Sequence, residues 1–209
     1  MELSVAVTAF VTLFVIIDPI GLAPLFVAMT AGTTFQNRLR IGIRSCLVAA
    51  FLLTAFGLAG EALLEFVGIS MAAFRISGGV LLFITALDML FERRTQRRED
   101  QAEGPLEDDD PSVFPLAMPL IAGPGSLATM ILLTGAPGAD WSYVAAVHGV
   151  MLVVLAIVFA FFLMAGAMER IIGDTGIKVT TRLMGMLLAA LSVQFILDGL
   201  REFGVVAGS

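Results

Sequence analysis

Runs of about 20 apolar residues recur along this chain, and they constrain its fold more than any other feature. An apolar α-helix needs about 20 residues to cross the hydrocarbon core of a bilayer. The chain is 58% hydrophobic and 14% charged, whereas soluble domains carry about 25% charged residues. Alternating segments of about ten residues, the pattern of membrane β-barrels, do not occur. The sequence therefore predicts an all-α integral membrane protein embedded in a lipid bilayer.

Six apolar windows predict six transmembrane helices, at residues 4–30, 41–61, 69–91, 113–134, 141–168 and 179–200. One connection is long, "ERRTQRREDQAEGPLEDDDPS" at 92–112. Its charges, proline and glycine are typical of a solvated, mobile linker, with a regulatory or partner-binding segment as the alternative. The predicted organisation is a first three-helix unit at 1–91, the linker at 92–112 and a second three-helix unit at 113–209.

The basic residues are distributed unevenly between the two sides of such a protein. Ten of the twelve Lys and Arg residues fall in or beside three loops on one side, including four arginines between Arg93 and Arg98. Short loops rich in Lys and Arg face the cytoplasm. The sequence therefore predicts a cytoplasmic 92–112 loop, with the N-terminus and the C-terminus both outside.

The two halves repeat each other weakly. "DPIGLAPLF" at 18–26 matches "GPGSLATMI" at 123–131, and "FRISGGVLL" at 74–82 matches "TRLMGMLLA" at 181–189. In both matches, the segment of the second half follows its counterpart in the first half by nearly the same number of residues. Because each half has three spans, the halves would lie in opposite orientations, which is the inverted-repeat architecture of many secondary transporters.

Prolines and glycines interrupt the first and fourth spans, so we expect helices 1 and 4 to be broken near the midplane. Such breaks persist in a membrane only where they are buried in protein or line a wet cavity. Two half-helix N-termini would then bind a carboxylate, with hydroxyl groups assisting and an aspartate holding an ammonium group. The predicted substrate-binding residues are Asp18, Pro19, Gly21, Gly123, Pro124, Gly125, Ser126 and Thr129.

Two further arginines lie within or next to spans. Arg75 and Arg182 occupy matching positions of the two halves. Either could pair with Asp18, close a gate or contact a substrate carboxylate, and a structural or snorkelling role is the alternative. One histidine and one cysteine are too few for a Cys/His metal site. We therefore expect no metal, no cofactor, no enzymatic activity and no nucleic-acid partner.

"DPIGLAPLF", "FRISGG" and "PLAMPLIAGPG", together with six spans and a charged central loop, resemble the MarC family. This family overlaps the small neutral amino-acid transporter family and is similar in layout to LysE-type exporters. The resemblance implies transport of small neutral amino acids such as alanine or glycine across a prokaryotic inner membrane, in the export direction as one option. It places motif residues at Asp18, Pro19, Gly21, Pro24, Arg75, Gly78, Gly79, Gly123, Pro124 and Gly125.

Several alternatives stay open at this point. The leading hypothesis is a secondary transporter that works by alternating access, with proton or sodium coupling undecided. A non-transporting membrane scaffold or accessory protein is the competing class. The sequence does not determine the substrate, the direction of transport or the oligomeric state, and a homo-oligomer is left open.

Overall fold

The computed structural model describes residues 3–103 and 110–205, and within these ranges the regular elements are helices, with no strand. The helices are α1 (Leu3–Ile17), α2 (Pro19–Met29), α3 (Phe35–Val67), α4 (Met71–Leu90), α5 (Arg93–Glu103), α6 (Pro124–Thr134) and α7 (Trp141–Glu202). A wide, π-type segment, Ser112–Ile121, precedes α6 and is called the π segment below.

Five helical stretches are long and apolar enough to cross a membrane: Ala6–Met29, Phe35–Val67, Met71–Leu90, Trp141–Ala165 and Thr175–Glu202. The π segment and α6 meet at a bend of 57° and make a sixth span if they are counted together. Large apolar side chains such as Phe51 and Leu47 are 70% and 65% exposed, as expected of surfaces that face lipid. The prediction of an all-helical membrane protein is therefore confirmed, with five or six spans.

Side-chain caps explain where three of the helices begin. Thr34, Ser70 and Asp140 precede α3, α4 and α7, and each accepts a hydrogen bond from a backbone amide three residues further on. Such caps satisfy one of the amides that the first turn leaves without a partner. The three starts are thus encoded locally, by a single polar residue ahead of each apolar run.

The last two spans are joined differently from the sequence-based prediction. We expected a loop between 168 and 179, but α7 (Trp141–Glu202) consists of two helices that are joined directly at a kink, with non-helical backbone angles at Gly173. Gly173 has a φ of 64°, a backbone conformation that glycine adopts without steric cost. A single glycine therefore redirects the chain where the prediction placed a longer connection.

Close packing of α4 against the second part of α7 forms the most extensive helix pair. Gly79 and Gly185 permit it: a Cβ atom at Gly79 would lie 2.8 Å from the Ser192 carbonyl oxygen, and one at Gly185 would lie 2.9 Å from Met89 Cβ. Small residues allow helix backbones to approach where apolar lipid provides no hydrophobic driving force. The core of α1, α2, α6 and α7 is built around fully buried side chains, including stacked Phe26 and Phe162.

The charged connection departs most from expectation. We expected a solvated linker at 92–112, but residues 93–103 form α5, and Arg98 is only 6% exposed. The arginines of α5 find carboxylates and free carbonyl groups within the protein, and these contacts hold the helix against α1, α2 and α4. The part of the predicted linker at 104–109 lies outside the described residues.

Candidate functional site

The chain changes direction between α1 and α2 at Asp18. This residue has φ 58° and ψ 68°, the left-handed conformation that aspartate tolerates better than most residues. Its carboxylate accepts a hydrogen bond from the Gly21 amide, 3.1 Å from Oδ1. Pro19 occupies the first position of α2, where a missing amide hydrogen has no consequence. The sequence Asp-Pro-x-Gly therefore ends one helix and caps the next.

The break at this junction leaves backbone carbonyl groups at the end of α1 without helical hydrogen bonds. Arginines of α5 donate hydrogen bonds to these carbonyl groups. In an unbroken helix the Gly21 amide would bond to the Ile17 carbonyl, but it bonds to Asp18 instead. Arg98 donates to the Ile17 carbonyl oxygen at 3.0 Å, and Arg94 donates to that of Ile16. Cations are favoured at a helix C-terminus, where the aligned peptide dipoles place partial negative charge.

Arg98 also forms a buried ion pair with Asp18. Its Nη1 atom lies 3.0 Å from Asp18 Oδ2, and the two side chains are 7% and 3% exposed. Burial lowers the pKa of Arg98, while attraction to the Asp18 carboxylate opposes this shift. Burial also lowers the pKa of Arg94, to about 9. α5 therefore brings two guanidinium groups to the junction.

The second proline-marked junction lies at the start of α6. Gly123 is the capping residue and has extended backbone angles, φ −77° and ψ 170°, and Pro124 follows it. No side chain of residues 3–103 and 110–205 caps this helix end. Its first-turn amides are thus available to an incoming acceptor, and the helix dipole favours a negative charge there.

The start of α6 faces α5 across a cavity of about 250 Å³. Ser126, which is 3% exposed, lies on the α6 side of the cavity. Asp88 of α4 pairs with Arg97 at 2.8 Å, and Arg97 remains 65% exposed. The cavity walls thus carry three guanidinium groups, one carboxylate and one helix N-terminus. They are formed mainly by Asp88, Arg94, Arg97, Arg98, Gly123, Pro124, Gly125 and Ser126.

Glycines allow the start of α6 to approach its neighbours. A Cβ atom at Gly123 would lie 2.5 Å from the Pro119 carbonyl oxygen, which belongs to the π segment. One at Gly125 would lie 2.9 Å from Ile16 Cδ1, next to the end of α1. The two junctions are therefore neighbours in space, as the two halves of a shared site would be.

The structure brings together some of the predicted substrate-binding residues. Four of them line this cavity, Gly123, Pro124, Gly125 and Ser126. Asp18, which also caps α2 through the Gly21 amide, is connected to the cavity through Arg98, and Pro19 is buried beside it. Thr129 is fully buried farther along α6, and its hydroxyl has no hydrogen-bond partner within the described residues.

The other two predicted arginines lie away from Asp18. Arg75 pairs with Glu202 at 2.5 Å and donates to the Gly135 carbonyl oxygen at 2.7 Å, which caps the far end of α6. It lines a second cavity, of about 550 Å³, at that end. Arg182 is half exposed and pairs with Glu92 at 2.6 Å. Neither arginine therefore pairs with Asp18 in this structure, although such pairing was one of the alternatives considered from the sequence.

Sequence reasoning missed the arginines of α5, because it treated the charged connection as solvated. One signal could have found them. In "RRTQRRED", Arg94 and Arg98 are four residues apart, and residues with this spacing share one face of a helix. A buried aspartate in an apolar span needs a cationic partner, and these two arginines offer a pair on one helical face.

These observations define a multi-pass, all-helical integral membrane protein with a charged internal cavity between a helix N-terminus and a set of arginines. The family to which it belongs follows from comparison with known sequences. The family model described as "MarC family integral membrane protein" matches residues 3–203. The chain therefore belongs to the MarC family, in agreement with the resemblance in its motifs.

Relatives with similar sequences span almost the same length. A UPF0056 membrane protein of Methanocaldococcus jannaschii is 36% identical over 204 residues, covering 96% of this chain and 98% of the relative. The UPF0056 membrane protein YvbG of Bacillus subtilis is 33% identical over 204 residues, with 96% of each chain covered. The UPF0056 inner membrane protein YhgN of Escherichia coli K12 is 32% identical over 197 residues, covering 93% and 95%. No solved structure matches the chain.

Proposed function

We propose that this protein is a secondary transporter of small neutral amino acids such as alanine or glycine. The observation that carries the proposal is the cavity of about 250 Å³ where the uncapped N-terminus of α6 faces the arginines of α5. A scaffold helix has no need of an N-terminus that no described side chain caps beside a cavity with charged walls. The name of the Escherichia coli relative supports a prokaryotic inner membrane as the location.

The charges of the cavity suit a molecule with two opposite charges. The first-turn amides of α6, the Ser126 hydroxyl and Arg97 are donors for a carboxylate. Asp88, which pairs with Arg97 in this structure, is an acceptor for an ammonium group that would take the place of this pairing. Pockets that hold drug-sized ligands have volumes of about 300–1,000 Å³, and this cavity is smaller, which favours a small amino acid over an antibiotic.

Transport by alternating access requires a second opening, and the cavity at the other end of α6 supplies a candidate. That cavity is lined by Arg75 and Glu202 among others, and has a volume of about 550 Å³. In this proposal the units at 1–91 and 113–209 are inverted repeats, and both termini lie outside. Asp18 is the candidate residue for proton or sodium coupling, because its buried carboxylate is joined to the cavity wall through Arg98.

The test is flux of labelled alanine and glycine into proteoliposomes that contain the purified protein, with proton and sodium gradients imposed separately. We expect uptake above that of protein-free liposomes. Ser126→Ala should reduce apparent affinity about threefold to tenfold, as expected for the loss of one hydrogen-bond donor. Ser77→Ala is the matched control, because Ser77 is an exposed serine of α4 that bonds only to its own helix.

A folded protein that neither binds nor transports any of the twenty amino acids would reject this proposal. That outcome would favour the scaffold or accessory function instead. Uptake that responds to neither imposed gradient would retain transport and reject coupling through Asp18.

A further inference from the structure

We propose that α5 is a movable gate that closes the cavity from the cytoplasmic side and is held shut by the pairing of Arg98 with Asp18. The identity of the transported solute rests on the proposed function, but the movement of α5 does not. Three independent features of the described residues point to a gate: the composition of α5, the residue at which it begins, and the place of its arginines in the cavity wall.

The composition of α5 shows what holds it in place. Its sequence, "RRTQRREDQAE", contains one apolar residue, Ala102. A helix usually docks by burying an apolar stripe, and α5 has none. Its docking contacts are polar: Arg98 to Asp18, Arg97 to Asp88, and Arg94 to the end of α1. Because such a helix is soluble in water on all sides, it can detach without exposing an apolar face of its own.

The chain also has a pivot at the start of α5. Glu92 lies between α4 and α5 with φ 61°, a left-handed conformation that is uncommon for residues other than glycine. The same residue is anchored to α7, where Arg182 donates to its Oε1 atom at 2.6 Å and Lys178 Nζ lies 3.8 Å from Oε2. The first residue of the connection is thereby fixed, while residues 93–103 are held by the contacts of α5.

The position of α5 determines what its movement would do. Arg94, Arg97 and Arg98 form one wall of the cavity, opposite Gly123 and Ser126. If α5 leaves, that wall leaves with it, and Ser126 becomes accessible to water. The Asp18 carboxylate and the carbonyl oxygens of Ile16 and Ile17 lose their guanidinium partners at the same time. They then offer acceptors to the ammonium group of the solute, so the solute can take the place of the arginines.

The experiment uses one reporter cysteine in the full chain. Cys46 is the single native cysteine, so Cys46→Ala with Ser126→Cys gives one reactive thiol at a position that is 3% exposed in the closed state. Inside-out vesicles are treated with a membrane-impermeant thiol reagent, and the labelling rate is measured. Adding Arg98→Ala should raise this rate at least about tenfold, because removing one partner of a buried ion pair shifts an equilibrium by more than that factor.

Arg93→Ala is the matched control, because Arg93 is an exposed arginine of the same helix. It should leave the labelling rate unchanged. An unchanged rate in Arg98→Ala, or an equal rise in both variants, would overturn the gate. In right-side-out vesicles the rate should not respond to Arg98→Ala.

A second variant keeps the test valid if Arg98→Ala does not fold. Asp18→Asn combined with Arg98→Gln removes both charges of the pair, so that neither member is left as an unpaired charge. This double variant should fold and should be labelled faster than the parent, and a folded double variant labelled at the parental rate would reject the gate. Labelling requires no transported solute, so faster labelling without amino-acid flux would support the gate and reject the proposed cargo.

Discussion

The two proline-marked junctions of this protein begin in the same way and are completed differently. At each, a proline occupies the first position of a helix, Pro19 of α2 and Pro124 of α6. Asp18 supplies a side-chain cap at the first junction, and two arginines of α5 satisfy the carbonyl groups behind it. Gly123 supplies no cap at the second, and the helix start faces a cavity.

The two junctions differ in what they are suited to do: the first is closed by the protein's own side chains, and the second can bind a ligand. A junction that carries its own charge is closed by the protein itself, through a buried ion pair. A junction without a side-chain cap keeps its amide donors available for a ligand. The close approach of Gly125 to Ile16 places the two beside each other. We infer that the first junction holds α5 in place and that the second junction binds the solute.

Removal of the charge at the first junction should have the largest effect on stability. Asp18→Ala leaves Arg98 buried without its partner, and we expect the free energy of unfolding to fall by about 3–5 kcal/mol. Unfolding in detergent, followed by circular dichroism, measures the change. Asp198→Ala is the control, because Asp198 pairs with Arg201 at an exposed position. If both variants lose the same small amount, the first junction is not held by its ion pair.

Filling the second junction should have a smaller effect on stability. In Gly123→Ala the new methyl group meets the backbone carbonyl of Pro119, and we expect a loss of about 1–3 kcal/mol. Gly125→Ala meets the side chains of Ile16 and Leu82, which can yield, so its loss should be smaller. Thermal unfolding of the two variants measures the order. The reverse order would show that α6 is not seated against the π segment as described.

The smallest change in stability is expected for Arg97→Ala. Arg97 is 65% exposed, and its buried partner Asp88 keeps a second cation, Arg94, within electrostatic reach, so we expect a loss of about 1 kcal/mol. Because the same guanidinium lines the cavity, apparent affinity for alanine in the flux assay should nevertheless fall. A loss of stability as large as that of Asp18→Ala would remove the distinction between a residue that holds α5 in place and a residue that binds the solute.

The membrane class and four of the cavity residues could be predicted from the sequence, for physical reasons. Apolar runs have no alternative to spanning a bilayer as helices, and Gly-Pro-Gly in such a run leaves few local conformations. The docking of α5 could not be predicted in the same way. Composition shows that "RRTQRRED" is soluble, but it does not show that Asp18 and the end of α1 offer acceptors at the right distance.

The direct junction between the two parts of α7 was missed for a related reason. Charged residues near 169–178 are typical of a loop, and nothing local distinguishes a loop from a helix that continues past the membrane with one glycine break. Gly173 was visible in the sequence, but its φ of 64° depends on how the two parts of α7 pack. Local sequence patterns thus predicted where the apolar segments end. The structure of the connections between these segments depends on tertiary contacts.

The ion pair between Asp18 and Arg98 also sets an order of events during synthesis. The two residues are 80 positions apart, so at about 5–20 residues per second the ribosome needs roughly 4–16 seconds to add the second after the first. During that interval α1 has entered the translocon with a carboxylate and carbonyl groups that have no final partner. The polar groups at the end of α1 therefore gain their arginine partners only after α3 and α4 have been synthesised. The charged connection that follows α4 supplies these partners.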